Sequence, residues 1–156
     1  MSKPIRRHIA LQPLSREHHN ALMLCYKIRQ GLIRKVEFER IGKYVTWFAG
    51  EHLQPHFATE EKYIFPLLGN EHDLVKKALD DHRSLEALFY STVFTNEILE
   101  KIELELDNHV RFEERILFNE IQDAVSPAQL EEAMKLHVED DPCENWPDEF
   151  WNQPLS

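Results

Sequence analysis

The chain has 156 residues, 28 acidic against 18 basic side chains, a formal charge of -10 and four glycines. That length makes one domain with its own core, and so acidic a surface has little with which to neutralise phosphates, which excludes a nucleic-acid partner. Few glycines beside many straight-chain and charged residues favour helix over sheet.

The opening Met1-Ser2-Lys3-Pro4-Ile5-Arg6-Arg7 is basic but has no apolar segment behind it, and no later run approaches a membrane span. A cytoplasmic protein is therefore expected, without a membrane partner. Cys25 and Cys143 lie far apart, outside any C-x-x-C pair, and read as reduced thiols. Residues 1–14 read as an arm lying along the rest. Ser15 is the expected cap of a first helix reaching Arg34, with Leu22, Cys25, Tyr26, Leu32 and Ile33 on its apolar face. A second helix is predicted from Glu37 to Phe65 on the stripe Ile41, Val45, Phe48, His52, His56, Glu60, Tyr63. Gly50 and Pro55 predict a kink within it. A third runs from Glu71 to about Val93 on Val75, Ala78, His82, Leu85 and Phe89. Thr95 or Asn96 opens a fourth, with Ile102, Leu106, His109, Glu113 and Ile116 in line. Ser126-Pro127-Ala128-Gln129 starts a short helix ending near His137. In the acidic tail beyond it, Trp146, Phe150 and Trp151 are expected to dock on the helices.

The predicted fold is all-α: an up-down-up-down four-helix bundle over about 15–122, a short helix over about 127–137, an N-terminal arm and a tail over 138–156, all one domain. Counting residues from the turns places His56, His82 and His109 at similar heights, and His19 roughly 6 Å out of step at 1.5 Å per residue.

Two stretches carry the chemistry. His56-Phe-Ala-Thr-Glu60-Glu61 and His109-Val-Arg-Phe-Glu113-Glu114 share the spacing H-x3-E-E. On a helix, positions four apart lie one turn apart on one face. These polar residues occupy stripe positions that neighbouring turns fill with Ile and Leu. A lone core histidine ordinarily bonds a carbonyl, but burying an ionised carboxylate costs several kcal/mol unless a cation compensates it. No Lys or Arg lies on these stripes, so a pair of metal ions is the compensator they call for.

The pattern H…H-x3-E…H…H-x3-E, here His19, His56, Glu60, His82, His109 and Glu113, resembles the hemerythrin-like, or HHE cation-binding, domains over roughly residues 10–138. The resemblance implies two irons, each with two histidines, joined by Glu60, Glu113 and an oxo or hydroxo group, with room for a small diatomic or peroxide ligand. Other divalent metals fit such a set. Oxygen-carrying hemerythrins have H-x3-H on the third helix; this chain has His82-x3-Glu86. The set is thus similar to the four-His/two-Glu di-iron proteins of nitrosative stress and iron–sulfur repair.

His19 is preferred to His18 because His19-x-x-Leu22 parallels His82-x-x-Leu85. His52 reads as lying beside the centre, with gating, proton carriage or spare ligation as its other uses. Glu86 reads as an acceptor for a ligand histidine, with direct ligation or plain solvation as its other readings. Glu61 and Glu114 are expected to pair with Lys or Arg, and His72 and His137 to lie on the surface. His8 has no visible partner. Three functions remain open: binding or sensing O2, NO or peroxide; a di-iron enzyme of stress defence or cluster repair; and a metal-stabilised interaction or iron-storage module.

Overall fold

The computed structural model describes residues 6–140 and 146–155, so Cys143 lies outside the described residues. Helix α1 (Gln12–Ile33) starts before the expected Ser15 cap. The start is set instead by a 3-10 turn at Ile9–Leu11, where His8 Nδ1 accepts from the Ala10 amide. Ser15, inside the helix, donates through Oγ to Glu114. The arm is held by Arg7, whose guanidinium donates to Asn119, Gln122 and the Glu114 carbonyl.

The second predicted helix is one helical path of several pieces: α2 (Phe38–Phe48), a π turn at Ala49–Leu53, α3 (Gln54–Thr59), a second π turn at Glu60–Ile64 and a 3-10 turn at Phe65–Leu67. Pro55 lacks an amide N–H and crowds the turn before it, and the first π turn ends two residues ahead of it, at Leu53. A side chain on Gly42 would collide with the Phe94 ring, so glycine there lets α2 approach the loop after the third predicted helix.

Helix α4 (Asp73–Phe89) is capped by His72 and α5 (Asn96–Phe112) by Thr95. A third π turn, Glu113–Leu117, leads into α6 (Phe118–Ala124). The Ser126/Gln129 capping box opens α7 (Pro127–Met134), as its sequence predicted. Among the described residues there is no strand, and the helices pack as a bundle in which α5 lies between α1 and α4. Among the described residues no helix is long and apolar enough to cross a membrane. The tail docks as expected: Trp146, Phe150 and Trp151 surround Tyr44, at centroid distances of 5.6, 5.6 and 5.1 Å.

The interior is not continuous oil. One apolar cluster joins Leu24, Ile28, Ile41, Val45, Phe57, Leu85, Phe89 and Leu106. Another joins Leu14, Ile64, Phe65, Val75, Ala78, Leu117 and Phe118. Between them every long helical path contributes polar residues: His18, His56 with Glu60, His82, and His109 with Glu113, all buried.

Candidate metal centre

His18, not His19, enters the centre. His18 is 3% exposed, whereas His19 lies on the exposed side of α1. The buried face of this helix runs Leu14, His18, Ala21, Cys25, Ile28, in steps of four and three. Tyr26 and Ile33, which the sequence placed on that face, are 46% and 55% exposed. The parallel with His82 misled because a small residue, Ala21, stands where α4 has Leu85.

The other five predicted residues come together. His18, His56, Glu60 and Glu113 form one group able to hold an ion; Glu60, His82, His109 and Glu113 form another. In each group the ligand atoms lie within 4.8 Å of one another. The two carboxylates, fully buried, belong to both.

Both glutamates open π turns. Phe65 N–H bonds to Glu60 O and Phe118 N–H to Glu113 O, each five residues on. The wider turn delays the next inward position: Ile64 and Leu117 are buried, while Ile116, expected on the stripe, is 50% exposed and Tyr63 is only partly covered. The H-x3-E arithmetic holds up to the glutamate and slips by one residue after it. Such π turns often mark functional sites.

The four imidazoles are oriented alike. Each turns Nδ1 to a carboxylate outside the centre: His18 to Glu114 at 2.8 Å, His56 to Glu17 at 2.7 Å, His82 to Glu61 at 2.7 Å and His109 to Asp81 at 2.9 Å. A proton held on Nδ1 leaves the Nε2 lone pair free to ligate. Each Nε2 points inward, lying 3.0 to 3.3 Å from Glu60 or Glu113.

The Glu-Glu pairs therefore divide their work. The first glutamate lies in the centre and the second orients a histidine of another helix. Glu61 does also take Arg83, at 3.1 Å, and Glu114 faces Arg7 at 3.9 Å, but the expected basic partners are secondary to the imidazoles. Glu86 faces Arg83 at 3.5 Å and is not the acceptor expected from its sequence position. Glu17 and Asp81 were missed: nothing in their spacing sets them apart from ordinary helix-surface acids.

Charge in the centre is finely opposed. Burial resists protonation of His56 and His82, but neighbouring carboxylates, Glu60 foremost in contact with both, outweigh it and hold both up at about 9. His18 and His109 are raised by the same contest. Burial likewise resists ionisation of Glu60, yet His56, with His18 and His82, drives it well below the usual carboxylate range.

Even so, the protein's own groups do not satisfy one another. Nε2 of His56, His82 and His109, both oxygens of Glu60 and Oε2 of Glu113 are buried without a hydrogen-bond partner. These close but misaligned lone pairs, aimed at common points, are what a ligand set for a cation requires, so the residues fit a bound metal.

A family model for the hemerythrin HHE cation binding domain matches residues 10–96. The chain belongs to that family. Comparison with curated proteins and with solved structures returned no match to either. Within this HHE domain the matched residues include His18, His56, Glu60 and His82, and it is the fold that brings His109 and Glu113 from beyond them. Family membership and the buried His/Glu groups together fit this domain to hold a cation.

His52, His72 and His137 have structural partners. His52 Nδ1 lies 2.6 Å from Asp140, beside the Trp47 and Phe48 rings and outside both ligand groups. His72 caps α4. His137, expected at the surface, has a side chain only 6% exposed, held between Thr59 and Glu17.

Proposed function

We propose that this HHE domain is a non-haem di-iron protein that binds or senses O2, NO or peroxide. The observation that carries the proposal is the sharing of Glu60 and Glu113 by two buried four-residue groups, which would offer each ion two imidazoles and carboxylate oxygens. A mixed imidazole and carboxylate set suits iron, and it also accepts manganese, cobalt or zinc. Two irons held there would supply redox chemistry and coordination positions open to a small ligand.

The chain's own residues prepare the site. Glu114, Glu17, Glu61 and Asp81 fix the histidine tautomers. Phe57 stacks on His82 at 3.8 Å and Phe118 on His18 at 5.4 Å, shielding the imidazoles from water. Between α4 and α5 a surface pocket of about 220 Å³ is lined among others by Asp81, Ser84, Asn108 and His109.

The test is metal analysis and an optical spectrum of protein purified anaerobically from its own host, followed by addition of NO or O2. Two irons per chain and new visible bands on addition are expected. Iron-loaded protein with an unchanged spectrum would refute small-ligand binding. Catalytic turnover, rather than a reaction that stops after one cycle, would move the assignment to a di-iron enzyme.

A further inference from the structure

Among the four carboxylates that orient the histidines, Glu17 is the exception. The side chains of Asp81, Glu61 and Glu114 are 26 to 30% exposed and each lies near a Lys or Arg. The Glu17 side chain is 4% exposed, and among the described residues its hydrogen-bond and ion-pair partners include no Lys or Arg. Oε1 accepts from His56 Nδ1; Oε2 takes His137 Nε2 at 3.0 Å and the Asp140 amide at 2.8 Å. A buried carboxylate left without such partners is strongly destabilising. The partners that hold Glu17 from outside the centre thus come from residues 137–140, beyond α7 and beyond the stretch that matches the HHE family.

Those residues cross the bundle as a strap pinned on both sides of Glu17. His137 Nδ1 meets Thr59 Oγ1 at 3.1 Å, one turn from His56, which leaves Nε2–H to donate to Glu17. The Asp140 carboxylate meets His52, and Glu139 forms a two-pronged contact with Arg16. We propose that His137 and Asp140 are positioning residues of the metal centre: through Glu17 they set the His56 imidazole, so that the ion held by His18 and His56 and the docked strap strengthen each other. The coupling is reciprocal by necessity, since whatever tightens the ion when the strap is docked also tightens the strap when the ion is bound. The ion that His82 and His109 would hold, whose orienting acids are Glu61 and Asp81, has no such link among the described residues. The strap thereby makes the two halves of a near-symmetric centre unequal.

This inference rests on the two-ion reading above, and the experiment separates them. Wild type, His137→Leu and His137→Gln are titrated anaerobically with ferrous iron in the full chain. The Gln side-chain amide keeps a donor toward Glu17 that Leu lacks. Wild type should take two ions; H137L should bind one of them on the order of 10-fold more weakly and keep the other, with H137Q restoring it. Hydrogen exchange of the wild type provides a readout independent of any variant's folding: the Asp140 amide should exchange more slowly with iron bound. Two ions in wild type, with H137L unchanged, weakened equally at both or matched by H137Q, would overturn the strap's role while leaving the two-ion reading intact. Asp140 exchange indifferent to iron would do the same. A wild type that takes up no iron would sink both.

Discussion

His82 Nδ1 lies 2.7 Å from Glu61 Oε2, and the same acid receives Arg83 from the far side. The hydrogen bond from His82 outweighs the burial that opposes it and, with Arg83, holds the Glu61 carboxyl down at about 2. A permanently ionised acceptor keeps the proton on Nδ1 and turns Nε2 to the centre. Glu61→Ala is therefore expected to weaken the ion on the His82 side on the order of 10-fold, whereas Glu60→Ala removes a carboxylate shared by both groups and abolishes at least one equivalent. Metal stoichiometry and affinity for the two variants check the difference; equal losses would contradict the division of labour within the pair.

On α1, His18→Ala should cost metal on the His56 side while His19→Ala leaves both affinities unchanged. Competition titration of the two variants distinguishes adjacent residues that the sequence pattern alone could not separate. Loss from His19→Ala alone would show that the helix face is assigned wrongly.

The metal-free protein should respond to pH through its histidines. His56 and His82 hold protons up to about 9, above their ordinary value. A raised histidine contributes stability fully present below about 6.5 and lost as pH climbs through about 9. Chelator-treated protein should thus show a falling Tm from about pH 7 to 9.5, while metal affinity rises over the same window because ions displace those protons. Glu17 and Glu61, both held at about 2, contribute at pH above the ordinary carboxylate range and lose their contribution as pH falls toward 2. A metal-free Tm that rises between pH 7 and 9.5 would reverse the sign argued for the imidazoles.

Metal should also stabilise the fold outright, because buried polar atoms of Glu60, Glu113 and three histidines have no hydrogen-bond partner without it. An ion at a free concentration of about 100 times its Kd contributes about 2.7 kcal/mol. For a domain of this size that raises Tm by roughly 5–10 °C, readable in a scan with and without chelator. Equal melting curves would mean that the centre gains nothing from a cation.

Phe57 packs face to face on His82 and edge-on to His109 at 6.0 Å, and it is buried in the larger apolar cluster. Phe57→Ala is expected to cost about 3–5 kcal/mol in the metal-free state through the cavity it leaves. Denaturant unfolding measures the loss; a change under 1 kcal/mol would mean the ring is dispensable to the layer it shields.

The sequence by itself determined that this is a helical protein, where most of its helices begin, and that His56, Glu60, His82, His109 and Glu113 share a buried level. Those features follow from local periodicity and from the cost of burying an acid, both of which the chain carries residue by residue. What only the tertiary structure decided was how neighbours in sequence divide their roles: His18 rather than His19, Glu60 in the centre with Glu61 behind His82, and Ile64 and Leu117 inward because a π turn adds a residue. The recruitment of Glu17, Asp81, His137 and Asp140 belongs there too. The reason is that a helix face is some 100° wide, so adjacent residues at its edge look alike in periodicity. They are separated only when another helix supplies the partner, and those partners lie as many as 123 positions away along the chain.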